Sequence, residues 1–206
     1  MHPEHAHAAV EAVVTATSLL RWIPLLPLIG FGLGVFAACT NRRSLVHVTG
    51  PGSVLLAFVV SVIAVAQLWT LPAGGALVDN VYTWISVGML KIDLTFRVDA
   101  LTSVMILIIT GIGFLIHLYS LGYMHDDADE ARFFSYLNLF VASMLVLVLA
   151  DSLPVVFIGW EGVGVCSYLL IGFWYQDMAN ADAGRKAMIT NRIGDAAFLI
   201  GMFILV

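Results

Sequence analysis

The chain has 206 residues, of which 61% are hydrophobic and only 11% are charged, and its formal net charge is −5. A soluble domain carries charge on roughly a quarter of its residues, so this composition excludes an ordinary water-soluble domain. The acidic balance, without a basic stripe, also argues against nucleic acid as a partner. With a mean hydropathy of +0.98, the chain is predicted to be an all-α, polytopic membrane protein surrounded mainly by lipid.

Six apolar stretches have the length of about 20 residues that a helix needs to cross the hydrocarbon core of a bilayer. We predict them as helices over residues 19–40, 52–71, 100–122, 133–150, 153–175 and 185–206. Polar or charged loops separate most of them. The sixth stretch ends in Ile204-Leu205-Val206 without a polar tail, which indicates the first part of a longer membrane protein.

The segment between the second and third stretches has the pattern of strands. Apolar and polar residues alternate with a period of two over residues 81–87 and again over 90–97, with Gly88-Met89 between them. This pattern predicts a small β-hairpin, about residues 81–97, at the membrane surface. A non-helical backbone is permissible there because the segment lies outside the hydrocarbon.

The basic residues predict the orientation of the chain through the positive-inside rule. With the N-terminus outside, the inner loops carry five basic residues and the outer side carries three. The inner set is Arg42, Arg43, Arg132, Arg185 and Lys186, and the outer set is Arg21, Lys91 and Arg97. We therefore predict that the N-terminus lies on the outer, periplasmic side.

Glu161 is a charged residue deep inside an apolar stretch. It lies eight residues after the start of the fifth stretch, which is about 12 Å at 1.5 Å per residue. An unpaired carboxylate at that depth costs several kcal/mol, so Glu161 must face a cation, face a water cavity or hold a proton. A static ion pair between helices is one interpretation. We favour a proton carrier, because apolar packing could replace a static pair without loss of stability.

Four further ionisable residues within the predicted spans are considered for a role. Arg192 and Asp195 are three residues apart in the sixth stretch, so they share a helix face and can neutralise each other. A structural pair and a direct part in proton transfer both remain open for them. His117 has a side chain that suits a proton relay, although helix packing would also explain it. Lys186 lies near the inner end, where its ammonium group can extend to the interface.

No motif in the sequence indicates a redox or metal centre. Cys39 and Cys166 lie in apolar stretches without a second ligand nearby, which favours packing roles for both. The histidines at positions 2, 5 and 7 are interpreted as part of a solvated terminus. We therefore expect no cofactor and no metal in this chain.

Several motifs taken together resemble those of one family. Over residues 85–206 the sequence is similar to the antiporter-like L subunits of bacterial respiratory complex I, an NADH–quinone oxidoreductase. The resemblance is carried by Gly113-Phe114-Leu115-Ile116-His117, the run from Arg132 to Phe140, Leu149-Ala150-Asp151, Gly159-Trp160-Glu161-Gly162-Val163-Gly164, the run from Cys166 to Phe173, and Asn191-Arg192-Ile193-Gly194-Asp195.

The resemblance implies a fold and roles for the buried charges. The family has two inverted five-helix repeats, so residues 1–131 would hold three N-terminal helices with the hairpin, and residues 132–206 would open the first repeat. Glu161 matches a fifth-helix glutamate that pairs, in the family, with a lysine of the seventh helix. That lysine is not in this sequence. Arg192 and Asp195 match sixth-helix charges that influence this pair.

The resemblance also implies a function and partners. The chain would move protons in the bacterial inner membrane, together with other membrane-arm subunits, while electron transfer occurs elsewhere in the complex. NADH, FMN, iron–sulfur clusters and quinone would bind to those other subunits, and protons would be the only small substrate of this one.

Two other functions remain open from the sequence. The large subunit of a multisubunit sodium/proton antiporter shares the glutamate motif, although the hairpin and the stretch around Cys166-Ser167-Tyr168 favour complex I. A structural membrane scaffold is a different class of function, and it predicts that the charges in mid-membrane are dispensable.

Overall fold

The computed structural model describes residues 14–40, 42–88 and 90–205. Over these residues the helices are α1 (Trp22–Thr40), α2 (Arg43–Leu68), α3 (Ala100–Tyr123), α4 (Glu130–Leu149), α5 (Leu153–Ile171) and α6 (Met178–Leu205). The strands are β1 (Val14–Ala16), β2 (Ala76–Val87) and β3 (Leu90–Val98). All six helices are long and apolar enough to cross a membrane. The prediction of six spans with a hairpin after the second is confirmed, whereas the predicted solvated histidines at positions 2, 5 and 7 lie outside the described residues.

Three helix boundaries differ from the apolar pattern by four residues or more, and the others lie within three residues of it. α2 begins at Arg43 rather than at residue 52 and continues through Pro51, and α6 begins at Met178 rather than at residue 185. The added turns contain polar residues among apolar ones, so the apolar pattern does not predict that the helices continue into the interface. α5 ends at Ile171 rather than at residue 175, because Gly172 follows it and packs closely against Gly184 of α6.

The hairpin is longer than predicted and belongs to a three-stranded sheet. β2 pairs antiparallel with β3, and β1 pairs parallel with β2. The three residues of β1 are too few to show a period-two pattern. Gly88 has φ 59°, a left-handed conformation that glycine adopts without steric cost. Leu77, Phe96 and Val98 at the base of the hairpin are buried in the main apolar core, so this base packs on the helices.

α4 lies in the middle of the helix arrangement and contacts α1, α2, α3 and α5. Small residues permit these close approaches, as is usual between membrane helices. A Cβ atom at Gly159 would lie 2.5 Å from the amide nitrogen of Leu147, and one at Gly50 would lie 2.9 Å from the ring of Phe134. The absence of a side chain at Gly159 thus permits α5 to approach α4 closely, two residues before Glu161.

The hairpin is joined to the helices by polar contacts at two points. Arg21, just before α1, donates to Asp79 of β2 from Nη2 at 2.6 Å, from Nε at 3.1 Å and from its backbone nitrogen at 3.0 Å. The backbone nitrogen of Asp151, between α4 and α5, donates to the Thr95 carbonyl at 3.1 Å. We call the membrane face that carries these contacts the hairpin side and the opposite face the loop side.

We expect Arg21→Ala to destabilise the protein more than Lys91→Ala. Asp79 is only 1% exposed, and without Arg21 its carboxylate would lose most of its hydrogen bonds while remaining buried. Lys91 forms an exposed pair with Asp93 at 3.2 Å, and such pairs contribute little. The measurement is the thermal unfolding of the two purified variants. Equal unfolding temperatures would show that the Arg21–Asp79 contact does not hold the hairpin in place.

Candidate functional site

Three charged side chains from α5 and α6 form a charge cluster, which we define as Glu161, Arg192 and Asp195. Arg192 Nη1 donates a hydrogen bond to Glu161 Oε2, and the same nitrogen lies 3.6 Å from Asp195 Oδ2. The indole nitrogen of Trp160 donates to Asp195 Oδ1 at 2.8 Å. The structure therefore brings together three of the four site residues that the sequence predicted.

The charge cluster lies near the middle of both helices. Glu161 is eight residues after Leu153, where α5 begins, and Arg192 lies midway between the ends of α6. The side chain of Asp195 is 8% exposed, that of Glu161 is 24% exposed and that of Arg192 is 45% exposed. Lipid cannot solvate a charge at this depth, so protein or water must cover the exposed part of the cluster.

The formal charges of the cluster do not balance. Two carboxylates face one guanidinium group, which leaves one negative charge when both acids are ionised. An uncompensated charge in mid-membrane costs several kcal/mol. The cluster can remove that cost by binding one proton or by facing one further cation.

The pairing within the cluster differs in one respect from the sequence analysis. Arg192 does reach Asp195, as the spacing of three predicted, but its hydrogen bond goes to Glu161 on the neighbouring helix. Helix spacing describes contacts within one helix, so it could not identify this contact between helices. The hydrogen bond from Trp160 to Asp195 could not be predicted from the sequence either, because adjacency to Glu161 says nothing about contacts with α6.

His117 lies away from the charge cluster. It is fully buried on α3, where Nδ1 donates to the Gly113 carbonyl at 2.8 Å and the ring lies 6.1 Å from the ring of Phe134. Nε2 has no hydrogen-bond partner among the described residues. α3 packs on α2 and α4, and α4 separates it from α5. The relay role of His117 stays a prediction, and the packing interpretation has the Gly113 contact in its favour.

Another buried carboxylate, outside the charge cluster, lies toward the loop side. Glu130, which lies before the predicted start of the fourth helix at residue 133, is the first residue of α4 and is 2% exposed. Its Oε1 lies 2.8 Å from Nε2 of His47 on α2. This contact joins α2 to α4 at a distance from the charge cluster. Glu130 therefore provides a matched carboxylate for comparison with Glu161.

A cleft of about 590 Å³ opens on the hairpin side. It lies between β3, the start of α5 and the end of α6, and its lining includes Lys91, Asp93, Asp151, Met202 and Phe203. The lining is both polar and apolar. The cleft therefore gives water access to the hairpin-side ends of the two helices that carry the charge cluster.

The cysteines differ from each other in their surroundings. Cys166 is buried, whereas Cys39 is exposed on α1, so the packing role predicted for Cys39 stays a prediction. In the described ranges, no group of three or more His, Cys, Asp or Glu side chains is placed to hold a metal ion. The expected absence of a cofactor stays a prediction.

Two family models match separate parts of the chain. Residues 84–134 match the N-terminus of chain 5 of NADH-ubiquinone oxidoreductase (complex I). Residues 150–206 match the transmembrane segment shared by NADH:quinone oxidoreductase and the Mrp antiporter. The second match contains the whole charge cluster.

Curated relatives are similar over most of the chain. NADH-quinone oxidoreductase subunit L of Mycobacterium tuberculosis is 45% identical over 184 residues, which is 87% of this chain and 28% of that protein. The subunit L of Escherichia coli K12 is 43% identical over 190 residues, covering 91% of this chain and 30% of the relative. The chain thus spans about three-tenths of the length of the curated relatives it matches.

Solved structures share the fold. The membrane-bound sulfane sulfur reductase, an archaeal respiratory membrane complex, contains a chain that matches 90% of this one with a TM-score of 0.75 and 16% identity, over 36% of its own length. The Mrp complex from Dietzia sp. DQ12-45-1b contains a chain that matches 86% of this one with a TM-score of 0.66 and 24% identity, over 18% of its length. At these identities the likeness concerns the fold alone.

Proposed function

We propose that this chain, a homologue of the antiporter-like subunit L of bacterial NADH–quinone oxidoreductase, forms part of a proton-translocating membrane subunit of such a complex. The observation that carries the proposal is the charge cluster, in which two carboxylates share one arginine in mid-membrane. The curated relatives named subunit L support the same assignment.

The geometry of the cluster provides a means of exchanging a proton at Glu161. When Arg192 donates to Glu161, the cation stabilises the carboxylate and favours release of a proton. When Arg192 moves toward Asp195, which already lies 3.6 Å away, Glu161 loses its partner and binds a proton. Trp160 holds Asp195 in position through its indole N–H. A small movement of one side chain would thus change the partner of Glu161.

The energy and the partners would come from the rest of the complex. NADH oxidation and quinone reduction would take place in other subunits, which would hold the FMN and the iron–sulfur clusters, and this chain would contribute no redox group. Other membrane-arm subunits and lipid would cover the exposed faces of α5 and α6. The location would be the bacterial inner membrane, with the N-terminus and the hairpin side facing the periplasm.

The orientation predicts opposite labelling of two serine positions. Ser44 near the start of α2 and Ser86 near the tip of the hairpin are both exposed, and they lie on opposite membrane faces. We expect Ser86→Cys to react with a membrane-impermeant thiol reagent from the periplasmic side only, and Ser44→Cys from the cytoplasmic side only. The native cysteines are replaced in both variants. The reverse pattern would invert the proposed orientation.

A sodium/proton antiporter is the second candidate, because the family model that covers the cluster includes the Mrp antiporter. The test uses sealed vesicles that carry the complete assembly, with sodium replaced by potassium at constant ionic strength. We expect NADH-driven proton uptake to continue at the same rate without sodium. Proton movement that needs a sodium gradient and proceeds without NADH would favour the antiporter.

A further inference from the structure

Three aromatic rings lie between the charge cluster and the cleft on the hairpin side. The ring of Phe198 on α6 stacks on Phe157 of α5, with centroids 5.6 Å apart and planes inclined by 18°. It also stacks on Trp160, at 6.0 Å and 14°. Phe198 is therefore the middle ring of a continuous layer that joins the two helices. We call these three residues the aromatic stack.

Helix periodicity gives the position of the stack along the membrane normal. Asp195, Phe198 and Met202 are separated by three and four residues, so they follow one another along one face of α6. Met202 lines the cleft, and Asp195 belongs to the charge cluster. On α5, Phe157 is one turn nearer to the hairpin side than Glu161. A direct path between α5 and α6 from the cleft to the cluster therefore crosses the stack.

The chemistry of the stack opposes the passage of water. A buried water needs two to four polar partners and room for about one molecule. Phenylalanine rings offer neither donors nor strong acceptors, and the indole N–H of Trp160 is already bound to Asp195 at 2.8 Å. Water or hydronium crossing this layer would lose hydrogen bonds without replacement, which costs several kcal/mol.

We propose that the aromatic stack is a barrier that closes the direct route between α5 and α6 from the hairpin-side cleft to the charge cluster, and that lipid or a neighbouring subunit covers the outer side of Trp160, which is 45% exposed. Trp160 contributes twice, because its N–H positions Asp195 while its ring completes the stack. The barrier rests on the ring geometry alone. With the hairpin side closed in this way, Glu161 would exchange its proton with the loop side. This consequence rests on the proposed function.

The test is thiol labelling from the hairpin side in membranes that carry the complete complex, with the native cysteines replaced. Met202→Cys, in the cleft, should react with a membrane-impermeant reagent. Asn191→Cys lies one helical turn beyond Asp195 on the same face of α6 and should not react. Adding Phe198→Ala should make Asn191→Cys react about tenfold faster, because water enters the space left by the ring. Phe198→Leu should have a smaller effect. It replaces Phe198→Ala in the test if the alanine variant does not assemble.

Phe203→Ala is the matched control, since it removes an identical ring that is 69% exposed at the cleft. It should leave Asn191→Cys unreactive. Labelling of Asn191→Cys in the parent, or no acceleration in either Phe198 variant once assembly is measured, would overturn the barrier. Labelling does not depend on turnover. If Glu161 proved to have no part in proton pumping, the labelling result would therefore be unchanged. The two proposals can thus fail separately.

Discussion

Glu161→Gln should assemble with the rest of the complex and lose most of the proton pumping that accompanies quinone reduction. Glutamine keeps the shape and one acceptor oxygen for Arg192, so the packing of α5 against α4 and α6 should survive. It has no exchangeable charge, however, so it cannot bind and release a proton. The measurement is proton uptake by sealed vesicles, divided by the amount of assembled complex.

Two further substitutions separate the carrier role from a general need for buried carboxylates. Glu161→Asp keeps the acid but shortens its reach by one methylene, so part of the pumping should remain. Glu130→Gln removes the buried carboxylate that contacts His47 at 2.8 Å, outside the charge cluster, and pumping per assembled complex should stay at the parental value. Equal losses in Glu161→Gln and Glu130→Gln would indicate a structural role and favour the scaffold.

Arg192→Leu should reduce assembly more than Asp195→Asn does. Arg192 is the cation that both acids of the cluster share, and its loss leaves two neighbouring carboxylates without a cation, although Asp195 keeps its hydrogen bond from Trp160. Breaking a fully buried pair in this way costs about 3 to 5 kcal/mol. Because Arg192 is half exposed, its removal should cost less than that. Asp195→Asn keeps an acceptor for Trp160 and leaves a neutral Glu161–Arg192 pair. Quantified assembly in membranes provides the comparison.

The double variant Arg192→Leu/Asp195→Leu should assemble better than Arg192→Leu alone. It leaves Glu161 as the single acid of the cluster, and a single buried acid can become neutral by binding a proton. The difference between the double variant and the sum of the single effects measures the coupling of the two side chains. Simple additivity would show that Arg192 and Asp195 act independently.

The spans and the depth of Glu161 could be predicted from the sequence because lipid imposes a strict rule on them. A helix that crosses the hydrocarbon needs a long apolar stretch, and a charge within such a stretch is conspicuous. The first residues of α2 and α6 could not be predicted in the same way. Their first turns contain polar residues such as His47 and Asp182, which look like loop residues although the helix continues through them.

The contacts between distant elements could not be derived from the sequence. The pairs Arg21–Asp79, His47–Glu130 and Glu161–Arg192 each join two elements, and the hydrogen bond from Trp160 to Asp195 does the same. Periodicity gives the face of one helix, but not the neighbour that this face meets or the rotation of that neighbour. Only the Arg192–Asp195 contact, which lies within one helix, followed from spacing.

The most direct test of the account is the protonation state of Glu161 during turnover, measured by infrared difference spectroscopy of the complete complex. A carboxylic acid that gains and loses a proton produces a carbonyl band, which shifts in heavy water. We expect such a band to appear on addition of NADH and quinone in the parent, to be absent in Glu161→Gln and to remain in Glu130→Gln. An identical band in the parent and in Glu161→Gln would contradict the claim that Glu161 carries the proton.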